Sequence, residues 1–164
     1  MDKVIQDKYA KTFHASLMMK FNNNLITVRL SEGKEKSTWD FTPGDDWLVV
    51  KAGTIPNGME FRYVSHTEDR LHYHIHLSGQ PDKKLGVSRN GYLGFYRIAE
   101  VTDYWEIEPL YLDRDRLFCH LRDQSGNKVK VMNYAPSYWG YDHPPAPLNV
   151  KEGEVATFAL ELSC

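Results

Sequence analysis

The chain has little of what several large protein classes require. It contains two cysteines, Cys119 and Cys164, and no Cys-x-x-Cys pair, so neither a disulfide-rich scaffold nor a zinc ribbon is supported. Its 20 basic and 22 acidic residues nearly balance, which argues against a nucleic-acid partner. No stretch approaches the ~20 apolar residues of a membrane span, and the first residues lack the apolar core of a signal peptide. We therefore expect no membrane span, and a protein that is cytoplasmic or secreted without a cleavable signal.

Enzyme motifs and helical patterns are also scarce. The sequence has no G-x-S-x-G, no H-E-x-x-H and no phosphate-binding loop. Cys119 and His120 are neighbours, but adjacent strand residues point to opposite faces and cannot act directly as nucleophile and base. We therefore expect a protein that is not an enzyme and needs no cofactor. A helix is indicated only in the first dozen residues, where Val4, Ile5 and Tyr9 have nearly helical spacing.

What the chain does have is the pattern of a single all-β domain spanning residues 1–164. Hydrophobic residues make up 41% of the positions, enough to fill one core at this length. Apolar residues alternate in NLITVRLS, LHYHIHLSG and KVKVMNY, as half-buried strands require. Turn sequences such as IPNG, SRNG and DQSGN separate these segments. About a dozen short strands at this spacing predict a barrel or a sandwich.

One strand pattern occurs three times. The copies are residues 39–43 (WDFTP), residues 105–109 (WEIEP) and, more loosely, residues 158–162 (FALEL). They divide the chain into segments 1–43, 44–109 and 110–164. In each copy large apolar residues alternate with smaller or polar ones, which is typical of a strand that faces a core on one side. We therefore expect Trp39, Trp105 and Phe158 to occupy equivalent core positions.

Around the second copy, LGVSRNGYLGFY followed by YWEIEP resembles the β-trefoil superfamily, which includes ricin-B-like lectins, fascins and Kunitz-type inhibitors. NLITVRL with TWDFTP, and NKVKVMNY with TFALEL, are similar in outline. The resemblance implies a β-trefoil of three pseudo-repeats of about four strands each. It does not extend to the Q-x-W motif of ricin-type sugar sites, which the chain lacks. A cupin-like double-stranded β-helix and a β-sandwich are the alternatives.

Three histidines, His72, His74 and His76, alternate with apolar residues in LHYHIHLSG. On a strand they share one face, and imidazoles are common ligands of zinc, copper and nickel. However, the outer two Cα atoms lie about 13 Å apart on a strand, too far to reach one ion together. The cupin pattern would also need a carboxylate a few residues after the histidines. In LSGQPDKK, which follows His76, the first carboxylate is Asp82, six residues further on. We therefore prefer histidines facing solvent or a groove, with the apolar residues packed inward.

Residues 133–149, NYAPSYWGYDHPPAPLN, have no strand pattern and carry four prolines. Long loops in compact domains are usually functional or disordered, and aromatic residues argue against disorder. The aromatic rings offer a platform for a sugar ring or an apolar side chain, and the polar groups offer hydrogen bonds. The candidate ligand-binding residues are Asn133, Tyr138, Trp139, Tyr141, Asp142 and His143, with Asn90 and Tyr92 on the SRNG hairpin as a second location.

Three classes of function remain open. The first is a non-enzymatic, carbohydrate-binding β-trefoil lectin whose partner is a glycan or glycoprotein. The second is a protein-binding trefoil such as a protease inhibitor, and the third is a metal-dependent cupin-like enzyme built around His72, His74 and His76. The fold resemblance and the loop 133–149 favour the first class. The sequence leaves open whether the protein is a homodimer.

Overall fold

The structure is a computed structural model that describes residues 1–31, 47–97, 103–132 and 145–163. These parts contain a short helix and thirteen strands, so the prediction of an all-β chain is confirmed. Within them no helix has the length and apolarity that crossing a membrane requires. The elements in chain order are α1 (Lys3–Tyr9), β1 (Phe13–Phe21), β2 (Asn24–Leu30), β3 (Leu48–Val50), β4 (Gly58–His66), β5 (Leu71–Leu77), β6 (Gln80–Val87), β7 (Leu93–Arg97), β8 (Trp105–Asp113), β9 (Arg116–Arg122), β10 (Lys130–Val131), β11 (Ala146–Asn149), β12 (Glu154–Val155) and β13 (Thr157–Leu162).

Six of these strands close into a ring. β1 pairs with β4, β4 with β5, β5 with β8, β8 with β9, β9 with β13, and β13 pairs with β1 again, each time antiparallel. A closed ring leaves no unpaired sheet edge, and alternate residues of each strand face its interior. The ring is therefore a barrel with an inner core face and an outer wall.

The other strands form three hairpins, which lie in the chain between β1 and β4, between β5 and β8, and between β9 and β13. β2 pairs with β3, β6 with β7, and β10 with β11, while β12 adds to β10. Each hairpin also touches the other two, so that together they cap one end of the barrel. The pairs that join the hairpins are Ala146 with Val50, Trp47 with Gly94, and Tyr92 with Asn149.

The strand register defines one repeated layer of the barrel core. Its buried cross-strand pairs are Met59 with Ala15, Trp105 with Tyr73, and Phe158 with Cys119. Trp105 and Phe158 thus occupy corresponding buried positions, as the repeat pattern predicts. In the first unit, which consists of β1 to β4, the corresponding position holds Met59. Trp39 lies outside the described residues. A division of the chain at residue 43 would separate β2 from β3, and it therefore disagrees with the pairing of these two strands.

Helix α1 packs on the barrel at the end opposite the hairpins. The Asp2 carboxylate caps the helix by accepting a hydrogen bond from the Val4 N–H at 2.7 Å. Ile5 and Tyr9 are buried, and the Tyr9 ring meets Phe13, the first residue of β1, edge-on at 5.4 Å. The N-terminal residues with helical spacing therefore form the predicted helix, and its apolar face extends the core.

Candidate ligand-binding groove

Most of the predicted site residues fall in a part of the chain that the structure does not describe. Residues 133–144 of the predicted loop 133–149 lie outside the described residues. The expectation of a loop is wrong for its last four residues, because Ala146–Asn149 form the buried strand β11. The predicted residues that lie outside the described ranges are Asn133, Tyr138, Trp139, Tyr141, Asp142 and His143. Their role in binding stays a prediction. Asn90 and Tyr92 are described.

Asn90 and Tyr92 lie in the turn between β6 and β7, where the SRNG motif forms the predicted hairpin. Gly91 has a φ of 91°, a conformation that residues with a Cβ rarely adopt, so the turn requires glycine at this position. Tyr92 stacks on Trp47 with ring centroids 4.0 Å apart, so one face of its ring is covered. The backbone carbonyl of the exposed Asn90 accepts a hydrogen bond from the buried Asn149 side chain. This turn is therefore held firmly by the neighbouring hairpins.

The histidine strand is β5, and its apolar residues face inward as predicted. Leu71, Tyr73 and Ile75 are buried in the barrel core. The histidines share the opposite face, but their burial differs. His72 and His74 are half-buried, whereas His76 is only 3% exposed. The expectation that all three face solvent or a groove is thus wrong for His76, because the residues of β4 and β6 on either side cover it.

Each of these histidines has its own partner. His72 Nδ1 shares a hydrogen bond with Ser65 Oγ at 3.1 Å, and its ring stacks on Tyr104. His74 Nδ1 lies 3.3 Å from the Asp103 carbonyl, and His76 Nδ1 lies 3.0 Å from the Pro81 carbonyl. In the described ranges, no group of three or more His, Cys, Asp or Glu side chains is arranged to hold a metal ion.

A groove of about 320 Å³ crosses the outer wall of the barrel near β1, β8 and β9. Its residues come from two hairpin turns that the sheet brings together, the β1–β2 turn and the β8–β9 turn. The first side contributes Lys20, Asn23, Asn24 and Leu25. The second side contributes Tyr111, Asp113, Arg114, Arg116 and Phe118. The groove thus combines aromatic, amide and charged groups.

The aromatic side of the groove is a fixed stack. Tyr111 lies on Phe118 with centroids 4.7 Å apart and an interplanar angle of 11°. Lys20 Nζ donates a hydrogen bond to the Tyr111 hydroxyl at 2.9 Å and lies within cation–π distance of both rings. Tyr111 is 41% exposed. The stack therefore presents a Tyr111 ring that is held in place while much of it remains open to solvent.

A β-bulge puts Tyr111 on the outer wall. Strict alternation from the inward-facing Trp105 would point Tyr111 into the barrel. The register between β8 and β9 shifts after Pro109, so that Pro109 lies opposite the core residue Cys119 and Tyr111 lies opposite Phe118. The extra residue, Leu110, turns the rest of β8 over and is itself exposed. Sequence periodicity alone could not reveal this site, because the bulge breaks the period that such reasoning uses.

The rim of the groove contains strained backbone. Arg114 and Asp115, the two central residues of the β8–β9 turn, have φ values of 51° and 66°. This turn geometry usually selects Asn-Gly, because a Cβ makes the left-handed conformation costly. Asn22 in the β1–β2 turn also has a positive φ of 54°. Residues kept in such conformations often serve binding, so strain marks both sides of the groove.

Ion pairs link this groove to a second hollow of about 540 Å³ at the same barrel end. Arg116 lies 3.4 Å from Glu161, and Lys8 lies 3.7 Å from Asp115. These pairs involve well-exposed groups and add little stability. They do orient the side chains that border the groove on this side.

No protein-family model, curated protein or solved structure matches this chain. The chemistry of the groove itself indicates what it can bind. The Tyr111 ring offers an apolar face, Asn23 and Asn24 offer amide donors and acceptors, and Asp113 and Arg114 offer charges of both signs. This set suits a ligand that has an apolar face and a rim of hydroxyl groups.

Proposed function

We propose that the chain is a non-enzymatic carbohydrate-binding protein of β-trefoil architecture. Support for the architecture comes from the connectivity. A closed ring of six strands carries a hairpin in every second connection, and the three hairpins contact one another. The corresponding core positions of Met59, Trp105 and Phe158 agree with three related units. Three repeated units of this kind are what the sequence resemblance implies.

The observation that carries the binding proposal is the exposed Tyr111 ring in its polar groove. A sugar ring has an apolar face of C–H groups that stacks on an aromatic ring, and its hydroxyls need fixed donors and acceptors nearby. Phe118 and Lys20 hold Tyr111 in place before any ligand arrives, which lowers the ordering cost of binding. The amides of Asn23 and Asn24 lie across the groove to meet the hydroxyls.

The proline-rich segment 133–144 stays in the proposal as a second contact area. Its aromatic and polar residues, Trp139 foremost, carry the same chemistry as the groove, and its four flanking or internal prolines limit the unbound conformations. Asn90 and Tyr92 belong to the turn between β6 and β7. The groove contains none of these residues. Binding in the groove and binding at the proline-rich segment can therefore be tested by separate substitutions.

A glycan array followed by affinity measurement tests the proposal. Tyr111→Ala is expected to weaken the best glycan at least tenfold, about 1.4 kcal/mol. The free energy of unfolding should change by less than about 1.5 kcal/mol, since the ring is half-exposed. Tyr104→Ala is the matched control, because Tyr104 also stacks on a neighbouring ring but lies outside the groove. Trp139→Ala tests the loop in the same assay.

The outcomes separate the three classes of function. Loss of binding in Tyr111→Ala supports the groove, whereas loss in Trp139→Ala alone moves the site to the loop. An array without hits, together with tight inhibition of a protease, would favour the protein-binding alternative. A stoichiometric metal that disappears on replacing His74 and His76 would favour the metal-dependent enzyme.

A further inference from the structure

A group of basic side chains, here called the basic wall, lies on the outside of the barrel on β1, β4, β5 and β6. Cross-strand pairing places Glu60 opposite both His14 and His76, His76 opposite Lys84, and Arg62 opposite His74. Side chains paired in this way lie within about 5.5 Å of each other at Cβ. The members of the basic wall are His14, Arg62, His74, His76 and Lys84.

The wall has a buried floor and an open edge. His76 and Lys84 are 3% and 7% exposed, which is unusual for residues that can carry charge. Arg62 is exposed and His74 is half-buried beside it. A small ligand can therefore reach Arg62 and His74 from solvent, with His76 and Lys84 lying deeper.

The carbonyl partners fix the tautomers of His74 and His76. A carbonyl oxygen only accepts hydrogen bonds, so Nδ1 of each ring must carry the proton that it shares with Asp103 or Pro81. In the neutral ring, Nε2 then has a lone pair and repels an anion. Each ring becomes a second donor at Nε2 only when it takes up a proton. Anion binding at these rings is therefore coupled to proton uptake.

The charges of two neighbouring basic residues act on these rings. Burial is the main cause that lowers the pKa of both His74 and His76, and the charges of Lys84 and Arg62 lower it further. Glu60 opposes them, but it accepts hydrogen bonding from Arg62 and lies 3.3 Å from His14 Nε2. The pKa of Glu60 is lowered, chiefly by the Arg62 hydrogen bond, so this carboxylate stays ionised.

The other groups that face the wall are few among the described residues. Burial lowers the pKa of Lys84, and the negative charge of Asp103, which precedes β8, opposes this change. On β6 the exposed Asp82 stands two residues before Lys84, and β7 brings Tyr96 opposite Lys84. His72 on β5 interacts instead with Ser65 and Glu106.

We propose that the basic wall is a proton-coupled binding site for a tetrahedral oxyanion, the group present in phosphate and sulfate esters. Arg62 supplies a planar fork of donors at the open edge. Protonated His74 supplies an Nε2–H donor beside Arg62, and the buried His76 and Lys84 add positive charge behind it. A planar guanidinium fork together with an imidazolium donor suits an oxyanion with several oxygens better than a carboxylate with two. Affinity rises as pH falls, because the bound anion favours the charged histidines.

Inorganic sulfate is the probe, because it keeps the same charge across the pH range of histidine titration. Histidine ring signals of the full chain are followed by NMR during sulfate titration at about pH 5.5 and about pH 7.5. Saturable shifts of the His74 and His76 signals are expected, with a dissociation constant at least about tenfold lower at the acidic pH, one pKa unit of linkage. Sulfate should also raise the pKa of both rings.

Matched variants separate a site from general electrostatics. Arg62→Gln should weaken sulfate binding at least about fivefold, while Arg97→Gln, an exposed arginine on β7, should leave it unchanged. His66→Gln is the histidine control, since His66 is exposed at the end of β4. Shifts that chloride reproduces at equal ionic strength, or that persist in Arg62→Gln, would overturn the proposal.

Competition identifies the source of the oxyanion. Glucose 6-phosphate that displaces sulfate would assign a phosphate ester, and N-acetylglucosamine 6-sulfate that does so would assign a sulfated sugar. Displacement by neither ester would overturn the assignment, because the wall would then bind an adventitious ion only. The groove variant Tyr111→Ala should bind sulfate normally, which keeps this test independent of the proposed glycan site.

Discussion

Replacing Trp105 is the most direct test of the repeated core layer. The side chain is 1% exposed, and its register partner Tyr73 is fully buried. Its Nε1–H donates a hydrogen bond to the Leu85 carbonyl at 2.9 Å, which joins barrel strand β8 to hairpin strand β6. Trp105→Ala therefore removes a large buried ring and also the N–H group that donates a hydrogen bond to the buried Leu85 carbonyl.

The expected loss can be worked out from these two effects. Large-to-Ala changes in a core cost about 3–5 kcal/mol through lost burial and the cavity that remains. An unsatisfied buried carbonyl adds about 1–3 kcal/mol, although the two effects overlap. We therefore expect the free energy of unfolding to fall by at least about 4 kcal/mol, a large part of the 5–15 kcal/mol typical of a domain. Trp105→Phe keeps most of the ring volume and should cost about 2 kcal/mol.

Urea unfolding followed by circular dichroism measures both changes. The Phe variant keeps the test decisive if the Ala variant fails to fold. A loss below about 1 kcal/mol for Trp105→Ala would refute the reasoning, because such a value is typical of an exposed residue. It would also remove the main argument for corresponding units.

Two further predictions concern buried or paired groups. Burial raises the pKa of Cys119 to about 12, so iodoacetamide at pH 8 should not label Cys119 in the folded protein. Peptide mapping measures the labelling, and rapid labelling of the native protein would contradict the core position of Cys119. Burial alone would raise the pKa of Glu108, but hydrogen bonds from Arg122 and His120 outweigh it and the pKa is lowered. The stability that these hydrogen bonds to Glu108 contribute is present above the unfolded pKa and is lost as pH falls through the folded pKa. Glu108→Gln should therefore make the free energy of unfolding less dependent on pH below about pH 5. An unchanged pH dependence would rule out this role of Glu108.

The fold was readable from sequence where turns and periods agree, and least readable where a core position changes residue type. The SRNG turn and the alternating strands around it predict the β6–β7 hairpin because Gly91 needs its positive φ. The first unit was misdivided because its layer position holds Met59 rather than tryptophan. A core layer requires filled volume rather than one residue type, so a Trp motif elsewhere in the segment misled the repeat assignment.

The candidate groove was not predictable, although its residues were in view. Tyr111 lies in an apolar strand segment, and alternation from Trp105 predicts a core position for it. The bulge at Leu110 turns Tyr111 to the outer wall, where it stacks on Phe118, and the left-handed turn at Arg114 and Asp115 follows it. Neither feature has a sequence signal of the Asn-Gly kind. The segment 133–149, in contrast, was notable by its composition, and composition tells which residues a segment contains but not where they lie in the fold.

The bulge that builds the groove has a counterpart in the first unit. Val64 stands five residues after Met59 on β4, as Leu110 stands five residues after Trp105 on β8, and both sit where the register shifts and both are exposed. Beyond each bulge a residue of one strand faces its neighbour on the outer wall. In one unit this pair is Tyr111 with Phe118, a stacked aromatic pair. In the other it is Ser65 with His72, a polar pair.

The two bulges therefore explain how a repeated core can carry unlike surfaces. The inward residues before each bulge must fill the same barrel, so Met59 and Trp105 are both large and apolar. After the bulge the side chains leave the core, and the packing constraint no longer applies to them. Chemistry can then differ from unit to unit without a cost in core packing. This is why the proposed glycan groove occurs at one bulge while the other carries a serine–histidine pair, and why repeats found in the core predict the fold but not the site.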